Sequence, residues 1–447
     1  MDGLSVLLYL FAIVSTLYVV HLGLYLVGAN FYDIWQFRWR NRFPTRARRK
    51  AARAHRSHGP GAKTIRRPIE TKGLVTVAIS AHNEEKVITR CLESIRQSTY
   101  PQVEVLVADD ASQDLTHQLV RDYIMRHPDM QLRVYRMHKN IGKGSALSTV
   151  LRRYARGEFA MTLDADSILR PDTIANAVEY FNDPKIVGVA ANVQIITEPT
   201  ILGMLQKFEH MVGYRSKKTY SWLNCEFVVG GVASTYRMRV LREVNFYSTD
   251  TVTEDIGLST KIIHRGNRDQ RLIYASNVVA MTEGVMTFRA LVRQRFRWKY
   301  GSLQNLIKYR DLLWNPSPRY SLSLTMYRMP MAVLSEFILL VTPLAWGYTI
   351  YMTLTQYDAY LIVGAYMTIS IYLLFIVWFD ENLTTRTRLH LTLYAPVMYF
   401  VLYVMDLVQL ISILRCLVKS PALVTRQDTG STWVSPKRIG KQLASIE

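Results

Sequence analysis

The stretch "LVTVAISAHNEEKVITRCLESIRQS" (residues 74–98) decides the fold, because its pattern changes once along its length. It begins as a short run of β-branched apolar residues, passes through polar turn residues and continues in a helical pattern. Similar apolar runs follow, namely "VEVLVAD" (103–109), "LRVYRM" (132–137) and "FAMTLDAD" (159–166). Strands that alternate with helices predict an α/β domain with a doubly wound, mostly parallel sheet. We expect ligands to bind beyond the carboxyl ends of these strands.

Apolar segments on both sides of this region predict transmembrane helices. Residues 4–28 are nearly uncharged, are long enough to cross a bilayer and lack the clear features of a cleaved signal peptide. Three later segments, 331–354, 360–379 and 391–418, are also long enough to span. Pro396 leaves two possibilities for the last one, a single span or an interfacial piece followed by a span.

The positive charge of the chain favours anionic partners. Fifty-five Lys and Arg against 35 Asp and Glu give a net charge of +20, which suits nucleic acid, phosphate-bearing ligands or an anionic membrane surface. We interpret the basic stretch 38–67 as a cytoplasmic membrane flank and not as a nucleic-acid site, because no aromatic residues interleave its basic core. The domain after it is therefore expected in the cytoplasm. Three widely spaced cysteines, Cys91, Cys225 and Cys416, predict neither a zinc site nor a disulfide framework.

These patterns predict five segments along the chain. They are an N-terminal transmembrane helix (1–30), a basic cytoplasmic linker (31–72), the α/β domain (73–315), interfacial and transmembrane helices (316–420) and a basic tail (421–447). One span before the domain and three after it would put the tail outside the cell, which conflicts with its basic charge. A broken last segment would remove the conflict, and the sequence does not choose.

Acidic residues recur where strands end or helices begin. They are Asp109 and Asp110, Asp164 and Asp166, and Glu254 and Asp255. Since Asp and Glu also favour helix starts, any one of them is a weak signal. Alternate carboxylates at a strand end can share one divalent cation, and their hard oxygens suit Mg²⁺ or Mn²⁺ that carries phosphate.

Two glycine-containing turns complete the candidate site. "HKNIGKGSAL" (138–147) precedes a helix and suits an anion through its backbone N–H groups and Lys143. It lacks the spacing of a P-loop, which argues against an ATPase. "FVVGGVASTYR" (227–237) contains Gly230 and Gly231, where the backbone could approach a ligand closely; an ordinary turn is equally compatible.

The order of these motifs resembles a known enzyme family. "ISAHNEE", "VADDASQD", "NIGKGSAL", "DAD", "GGVASTYR", "TED" and "QRFRW" follow one another as in the membrane-integrated, processive family-2 glycosyltransferases. These include the synthases of cellulose, hyaluronan, chitin oligosaccharide and poly-N-acetylglucosamine. The resemblance covers roughly residues 73–315, and the flanking apolar segments extend it to most of the chain.

The resemblance implies a role for each matching residue. Donor-binding residues would be His82, Glu84, Asp109, Asp110, Lys143, Asp164 and Arg297, with Asp110 and Asp109 on the uridine and Arg297 on the diphosphate. Asp164 and Asp166 would hold the metal, with Asp166 the direct ligand. Asp255 would be the general base, next to Glu254. The acceptor would contact Gly230, Gly231, Gln294 and Trp298. The chain departs from the family in having His82 where tyrosine is usual.

The cluster "RQRFRW" (293–298) combines two predicted roles. On a helix, Gln294, Arg297 and Trp298 lie at i, i+3 and i+4 and therefore on one face. A planar guanidinium can pair bidentately with phosphate oxygens. Arg293 and Arg295 fall off that face, and we expect them to contact lipid headgroups.

The resemblance thus predicts a processive, inverting enzyme in the inner membrane, multi-pass, with its catalytic domain in the cytoplasm. It would polymerise a β-linked polysaccharide from a UDP-sugar, with UDP-N-acetylglucosamine as first choice, and move the product across the membrane. The implied partners are the UDP-sugar, the growing glycan, the bilayer and, as a possibility, accessory export proteins. The alternatives are an enzyme that transfers one sugar to a membrane lipid, and a receptor or channel with a nucleotide-sensing domain.

Overall fold

A computed structural model describes most of the chain in two compact units. The described residues are 20–38 with gaps at 22, 26 and 37, and then 73–196, 200–356 and 360–418. The sheet unit consists of the described residues within Asp33–Ile196 and Glu226–Glu283, and the helical unit of those within Met1–Tyr32, Thr197–Cys225 and Gly284–Asp428. Most of the predicted N-terminal span, nearly all of the basic linker and the basic tail lie outside the described residues. Residues 27–36 are helical, so helix continues past the boundary predicted at residue 30.

The sheet unit contains an eight-stranded sheet in the order β3-β2-β1-β4-β7-β6-β8-β5. The strands are β1 (Val75–Ala81), β2 (Val103–Asp109), β3 (Leu132–Arg136), β4 (Phe159–Asp164), β5 (Ile168–Leu169), β6 (Ile186–Ile196), β7 (Ser234–Arg237) and β8 (Arg271–Glu283). The four apolar runs identified in the sequence correspond to β1–β4.

The helices, in chain order, have the following bounds: α1 (Ile88–Arg96), α2 (Thr116–Arg126), α3 (Lys143–Tyr154), α4 (Thr173–Tyr180), α5 (Ile201–Trp222), α6 (Met238–Glu243), α7 (Glu254–Arg265), α8 (Phe288–Lys308), α9 (Met329–Gln356), α10 (Tyr360–Trp378) and α11 (Thr385–Val418). A 3-10 turn, Arg310–Leu312, and a π-helical turn, Ser323–Arg328, connect α8 to α9.

Helices cover both faces of the sheet. Alternate β1 residues such as Val75, Val77 and Ile79 share one apolar cluster with residues of α1, α2 and α4. Helix α3 also contacts β1 and β2, but its buried residues, for example Leu147, do not belong to that cluster. Because successive side chains of a strand point to opposite faces, α3 covers the other face.

The sheet is mixed and has more parallel than antiparallel strand pairs, which agrees with the predicted mostly parallel sheet. Pairs β1–β2, β2–β3, β1–β4 and β6–β8 are parallel, whereas β4–β7, β6–β7 and β5–β8 are antiparallel. Strands β5 and β7 are only two and four residues long, so they carry little periodicity of their own. Their direction is set by the long strands beside them, and the local pattern could not reveal it.

The helical unit contains two segments that are long and apolar enough to cross a membrane, among the residues that the structure describes. They are Ser323–Leu344 and Phe400–Val418, and the apolar helix Tyr366–Trp378 is shorter. The first of these candidate segments overlaps the predicted span 331–354 and begins earlier, at the first residue of the π-helical turn. Leu291 of α8 and Met405 of α11 belong to one of the apolar clusters that hold this unit together.

Helix α11 passes through Pro396 without a break. Its 34 residues correspond to about 51 Å at 1.5 Å per residue, well beyond the ~30 Å of a hydrocarbon core. Pro396 costs one backbone hydrogen bond, which neighbouring packing can tolerate. Adjacent Ala395 and nearby Met398 are fully packed against α5 and α10 residues. The broken segment that would have resolved the charge conflict of the tail is thus not found.

A buried carboxylate stabilises the start of the sheet. Glu104 of β2 is completely buried and accepts hydrogen bonds from Thr76 Oγ1 at 2.6 Å, Arg156 N at 2.6 Å and Arg133 Nη2 at 2.8 Å. Burial raises the pKa of Glu104, but these hydrogen bonds and the charge of Arg156 outweigh it and hold the pKa below its ordinary value.

We therefore expect Glu104→Ala to lower the free energy of unfolding by about 2 kcal/mol, because it strands donors that point at the carboxylate. Since the folded pKa is depressed, this stabilisation is present above the unfolded pKa of about 4.3 and is lost as the pH falls. Thermal unfolding in detergent at pH 7 and pH 4 measures both effects. Asp269→Ala, which removes an exposed partner of Lys185, is the control and should change little.

Candidate active site

Lys143 lies among carboxylates that belong to two other elements of the sheet unit. Its Nζ is 2.5 Å from Asp164 Oδ1, at the end of β4, and 3.4 Å from Glu254 Oε1, at the start of α7. Burial lowers the pKa of Lys143, but Asp164, Glu254 and Asp255 outweigh it and hold the pKa above its ordinary value. The side chain predicted to bind an anion is therefore a permanent cation, paired here with protein carboxylates.

The Gly230–Gly231 turn closes over the same group. A Cβ atom at Gly231 would lie 2.8 Å from Lys143 Nζ and 3.5 Å from Asp255 Oδ2. A Cβ atom at Gly144 would likewise lie only 3.1 Å from Glu254 Cβ. Glycine at these two positions allows the backbone to approach the charged groups closely. The structure thus brings together Lys143, Asp164, Gly231, Glu254 and Asp255, and we call this set the Lys143 cluster.

Asp255 lies in the first turn of α7. Its Oδ1 accepts a hydrogen bond from Ile256 N at 2.8 Å. Asp255 therefore lies at the positive end of the helix dipole. The other oxygen, Oδ2, faces the Gly231 turn. One oxygen is therefore fixed by the backbone, and the second is directed toward the Lys143 cluster.

Asp110 fixes the turn that delivers Lys143. Its two carboxylate oxygens accept hydrogen bonds from Ile141 N and Gly142 N, each at 2.8 Å. Gly142 has a φ of 85°, a conformation that other residues adopt only with strain, and α3 begins at the next residue. Asp110, predicted to bind uridine, thus has a structural contact that the sequence did not indicate.

The other residues predicted to bind the donor lie around the same strand ends. Asp109 is fully buried; its Oδ1 accepts from Ser112 N at 2.9 Å and its Oδ2 lies 3.1 Å from His117 Nδ1. His82 Nδ1 donates to the backbone oxygen of Asp110 at 2.8 Å. Glu84 is buried, and its backbone N–H donates to Thr116 Oγ1 at 2.8 Å. Because these contacts join the ends of β1 and β2, they bring His82, Glu84, Asp109 and Asp110 together.

Asp166 lies in a polar network that sequence reasoning missed. The side chain is buried, and its oxygens accept from Ser167 Oγ at 3.2 Å and Thr282 Oγ1 at 3.1 Å. Arg90 donates to the backbone oxygen of Asp166 at 3.0 Å and forms a buried ion pair with Glu283 at 2.9 Å. Arg90 and Glu283 occur in no recognisable motif, so only their packing reveals them.

The D-x-D pair fits a divalent cation in the kind of atoms that it offers. Asp164 keeps a third of its side chain exposed and already contacts a cation, the ammonium of Lys143, whereas Asp166 is held in place by hydroxyl groups. Mg²⁺ commonly takes one or two protein carboxylates and completes its shell with water and phosphate. Within the described ranges of the chain, no group of three or more His, Cys, Asp or Glu is arranged to hold a metal ion.

The residues of the Q-x-x-R-W motif lie on α8, in the helical unit. Gln294, Arg297 and Trp298 all belong to this helix, which agrees with the predicted i, i+3, i+4 spacing. Their predicted meeting with the carboxylates of the sheet unit stays a prediction. The three cysteines are buried, and none of these described residues forms a disulfide.

The lipid-headgroup role expected for Arg295 is wrong. Arg295 is only 4% exposed and pairs with Glu209 of α5 through two hydrogen bonds, while Arg293 is exposed. A buried guanidinium requires a partner to offset its desolvation, and Glu209 supplies it. Arg295 and Trp298 are also i and i+3 on α8 and contact each other, so the expectation that Arg295 lies off that face is corrected as well. The sequence could not show that α5 packs against Arg295.

The contacts of Asp110 predict a local effect of its removal. Asp110→Ala removes the carboxylate acceptor of Ile141 N and leaves Gly142 N only its longer contact with Asn140 Oδ1, at 3.1 Å. We therefore expect a loss of about 1–3 kcal/mol and faster amide exchange in the turn 138–144. Hydrogen exchange by mass spectrometry measures this. The control is Asp129→Ala, which removes an exposed carboxylate of the same unit. Unchanged exchange at 138–144 in Asp110→Ala would contradict the assignment.

The sequence of this chain is similar to those of known glycosyltransferases. Residues 76–244 match the family model described as "Glycosyl transferase family 2". The chain is 27% identical over 237 residues to a poly-beta-1,6-N-acetyl-D-glucosamine synthase of Staphylococcus epidermidis, covering 52% of this chain and 56% of the relative. It is 28% identical over 276 residues to the synthase of the same name from Staphylococcus aureus, covering 60% and 63%. The matches thus span less than two thirds of either relative.

A solved structure gives the fold. A mannosyltransferase from Pyrobaculum calidifontis, in complex with GDP-Man and Mn2+, superposes with a TM-score of 0.51 at 23% identity, covering 83% of this chain and 99% of that one. At this identity the likeness supports the fold alone. Residues 76–244 are thus similar in sequence to glycosyl transferase family 2 domains, and the likeness to the mannosyltransferase concerns the fold.

Proposed function

We propose that the protein is an inverting, processive glycosyltransferase that builds a β-linked polysaccharide from a UDP-sugar. The observation that carries the proposal is the Lys143 cluster, which gathers a cation, a strand-end carboxylate and a helix-start carboxylate at one glycine turn. It lies in and directly after the region that matches glycosyl transferase family 2. The named relatives are synthases of poly-β-1,6-N-acetyl-D-glucosamine, which supports UDP-N-acetylglucosamine as the first choice of donor.

Asp255 is the proposed general base. Attack by an acceptor hydroxyl requires a carboxylate within hydrogen-bond reach to accept its proton. Asp255 directs Oδ2 toward the Gly231 turn, while its Oδ1 is held by Ile256 N. The family resemblance assigns this role to Asp255 and not to the neighbouring Glu254, whose Oε1 lies 3.4 Å from Lys143 Nζ. Direct attack needs no second nucleophile and inverts the anomeric centre.

The leaving diphosphate needs positive charge. Lys143 and Arg297 are the proposed protein cations, since an ammonium and a guanidinium both stabilise charge that develops on phosphate oxygens. Asp164 and Asp166 are the residues that would hold Mg²⁺ or Mn²⁺, which when bound supplies further charge neutralisation at the diphosphate. When a diphosphate enters, Lys143 can exchange Asp164 for a phosphate oxygen and keep an anionic partner.

The acceptor end is assigned to the helical unit and the glycine turn. Trp298 exposes 37% of its surface and offers a flat apolar face to a sugar ring, and Gln294 lies on the same face of α8. Gly230 and Gly231 are the proposed acceptor residues of the sheet unit, where Gly231 lies close to Asp255. The apolar helices after α8 support a membrane location and passage of the product through the bilayer.

Asp255→Asn should lower turnover about a hundredfold or more and leave UDP binding largely intact, because the amide keeps the shape of the carboxylate but cannot accept a proton. UDP release from a panel of UDP-sugars with Mg²⁺ or Mn²⁺ measures turnover, and calorimetry with UDP measures binding. Asp269→Asn, an exposed carboxylate of the same unit, is the matched control and should retain activity. Equal loss of turnover and UDP binding in Asp255→Asn would show that the base is misassigned.

The product should be β-linked and many sugars long. Inversion of an α-linked donor produces a β-linkage, and an acceptor platform that holds the chain end favours repeated addition. NMR of the anomeric protons and the size distribution of the product measure these two properties separately. An α-linked product would exclude direct attack, and a single sugar on a lipid would favour the non-processive alternative.

A further inference from the structure

Arg295 contacts both side chains that the proposed function assigns to the acceptor sugar. Its Nη1 donates to Gln294 Oε1 at 2.6 Å, and its guanidinium carbon lies 4.1 Å from the ring centre of Trp298. The first contact orients the amide, and the second is a cation–π contact that covers one face of the indole. Arg295 thereby links two residues that are four positions apart on α8.

Arg295 is itself fixed from a second helix. Glu209 of α5 accepts from Arg295 Nε at 3.1 Å and, through its other oxygen, from Nη2. This is a fork with two parallel hydrogen bonds, which fixes the plane of the guanidinium as well as its position. Arg295 is 4% exposed, whereas Trp298 is 37% exposed. A buried, rigid group thus supports a partly exposed ring.

The arrangement restricts how Trp298 can bind a ligand. Because the guanidinium covers one face of the indole, a sugar ring has to stack on the opposite face. The same guanidinium uses Nη1 to hold Gln294 Oε1, so the amide nitrogen of Gln294 is the end left to donate to a ligand. One ion pair would thus set the geometry of two recognition groups.

We propose that the Glu209–Arg295 pair is a positioning element that orients Gln294 and Trp298 for the acceptor and so determines how long the growing chain stays bound. This inference rests on the proposed function, since it takes from it the acceptor role of Gln294 and Trp298. Neither Arg295 nor Glu209 touches the sugar. Loss of the pair should therefore weaken acceptor binding and leave the reaction at the donor unchanged.

The decisive variant is Arg295→Lys in the full-length protein in detergent. Lysine keeps the positive charge but lacks the planar fork, so it cannot hold Glu209, Gln294 and Trp298 at once. Glu209→Gln is the second variant, because it keeps the size of the partner and removes its charge. Arg293→Lys is the matched control, since Arg293 is an exposed arginine on the same helix two residues away.

Three quantities separate a positioning role from a merely structural one. We expect Arg295→Lys and Glu209→Gln to raise the KM for an oligosaccharide acceptor, prepared from the wild-type product, by about tenfold, the scale of one lost charge-assisted hydrogen bond. We expect the mean product length to fall as the acceptor KM rises. The donor KM and the kcat for UDP release should change less than about twofold. Combining Arg295→Lys with Trp298→Leu should raise the acceptor KM by less than the product of the two single effects, because part of the effect of Arg295 acts through Trp298.

The fluorescence of Trp298 gives a readout that does not depend on turnover. Because the chain has eight tryptophans, the signal of Trp298 is obtained by subtracting the fluorescence of the same protein carrying Trp298→Phe. Release of the guanidinium should make the ring more accessible to acrylamide in Arg295→Lys than in Arg293→Lys.

The inference is overturned if wild type polymerises and Arg295→Lys matches Arg293→Lys in acceptor KM and product length. It is also overturned if both Arg295→Lys and Glu209→Gln raise the donor KM as much as the acceptor KM and lower the kcat for UDP release. That result would indicate general damage to the fold. Absence of UDP release by wild type from every UDP-sugar is a distinct result, because it refutes the proposed function itself.

Discussion

The sheet unit depends on one ammonium group placed among acidic side chains from separate elements. Asp164 ends β4, and Glu254 and Asp255 begin α7, so without a cation three negative charges would converge where the chain packs. Carboxylates that share a site disfavour each other's ionised form, and an ion pair offsets this cost. Lys143 therefore offsets the mutual repulsion of these carboxylates, and the proposed reaction at a diphosphate and a hydroxyl would use this arrangement.

The position of Lys143 is in turn determined by the backbone before it. Asp110 binds the N–H groups of Ile141 and Gly142, and the positive φ of Gly142 turns the chain into α3. Asp110, which the sequence predicted as a ligand-binding residue, thus also binds the protein backbone. Asp166 is held by the protein in the same way, because hydroxyl groups donate to its carboxylate and Arg90 donates to its backbone oxygen. Side chains of this kind are aligned before any ligand binds, which lowers the cost of binding it.

The helical unit uses the same principle within its own boundaries. Arg295 is buried, and Glu209 offsets the cost of burying its charge. The guanidinium then has spare donors and a flat surface, which it applies to Gln294 and Trp298. A pair that could be taken for simple stabilisation thus connects two helices and two candidate recognition groups. Lysine offers no equivalent, because its charge is compact and its donors have no fixed plane.

The sequence by itself determined β1–β4, the helical placement of Q-x-x-R-W and the acidic residues at strand ends, because each depends on local periodicity and residue type. The candidate membrane segments of the structure overlap the predicted ones but differ in their ends, since the composition of an apolar run does not fix where it begins or stops. Only the tertiary structure decided the antiparallel β5 and β7, the partners of Lys143 and Asp110, and the burial of Arg295. Those features arise from contacts between residues far apart in the chain. A local sequence pattern does not show which distant side chain pairs with a buried charge or which strand pairs with a short one.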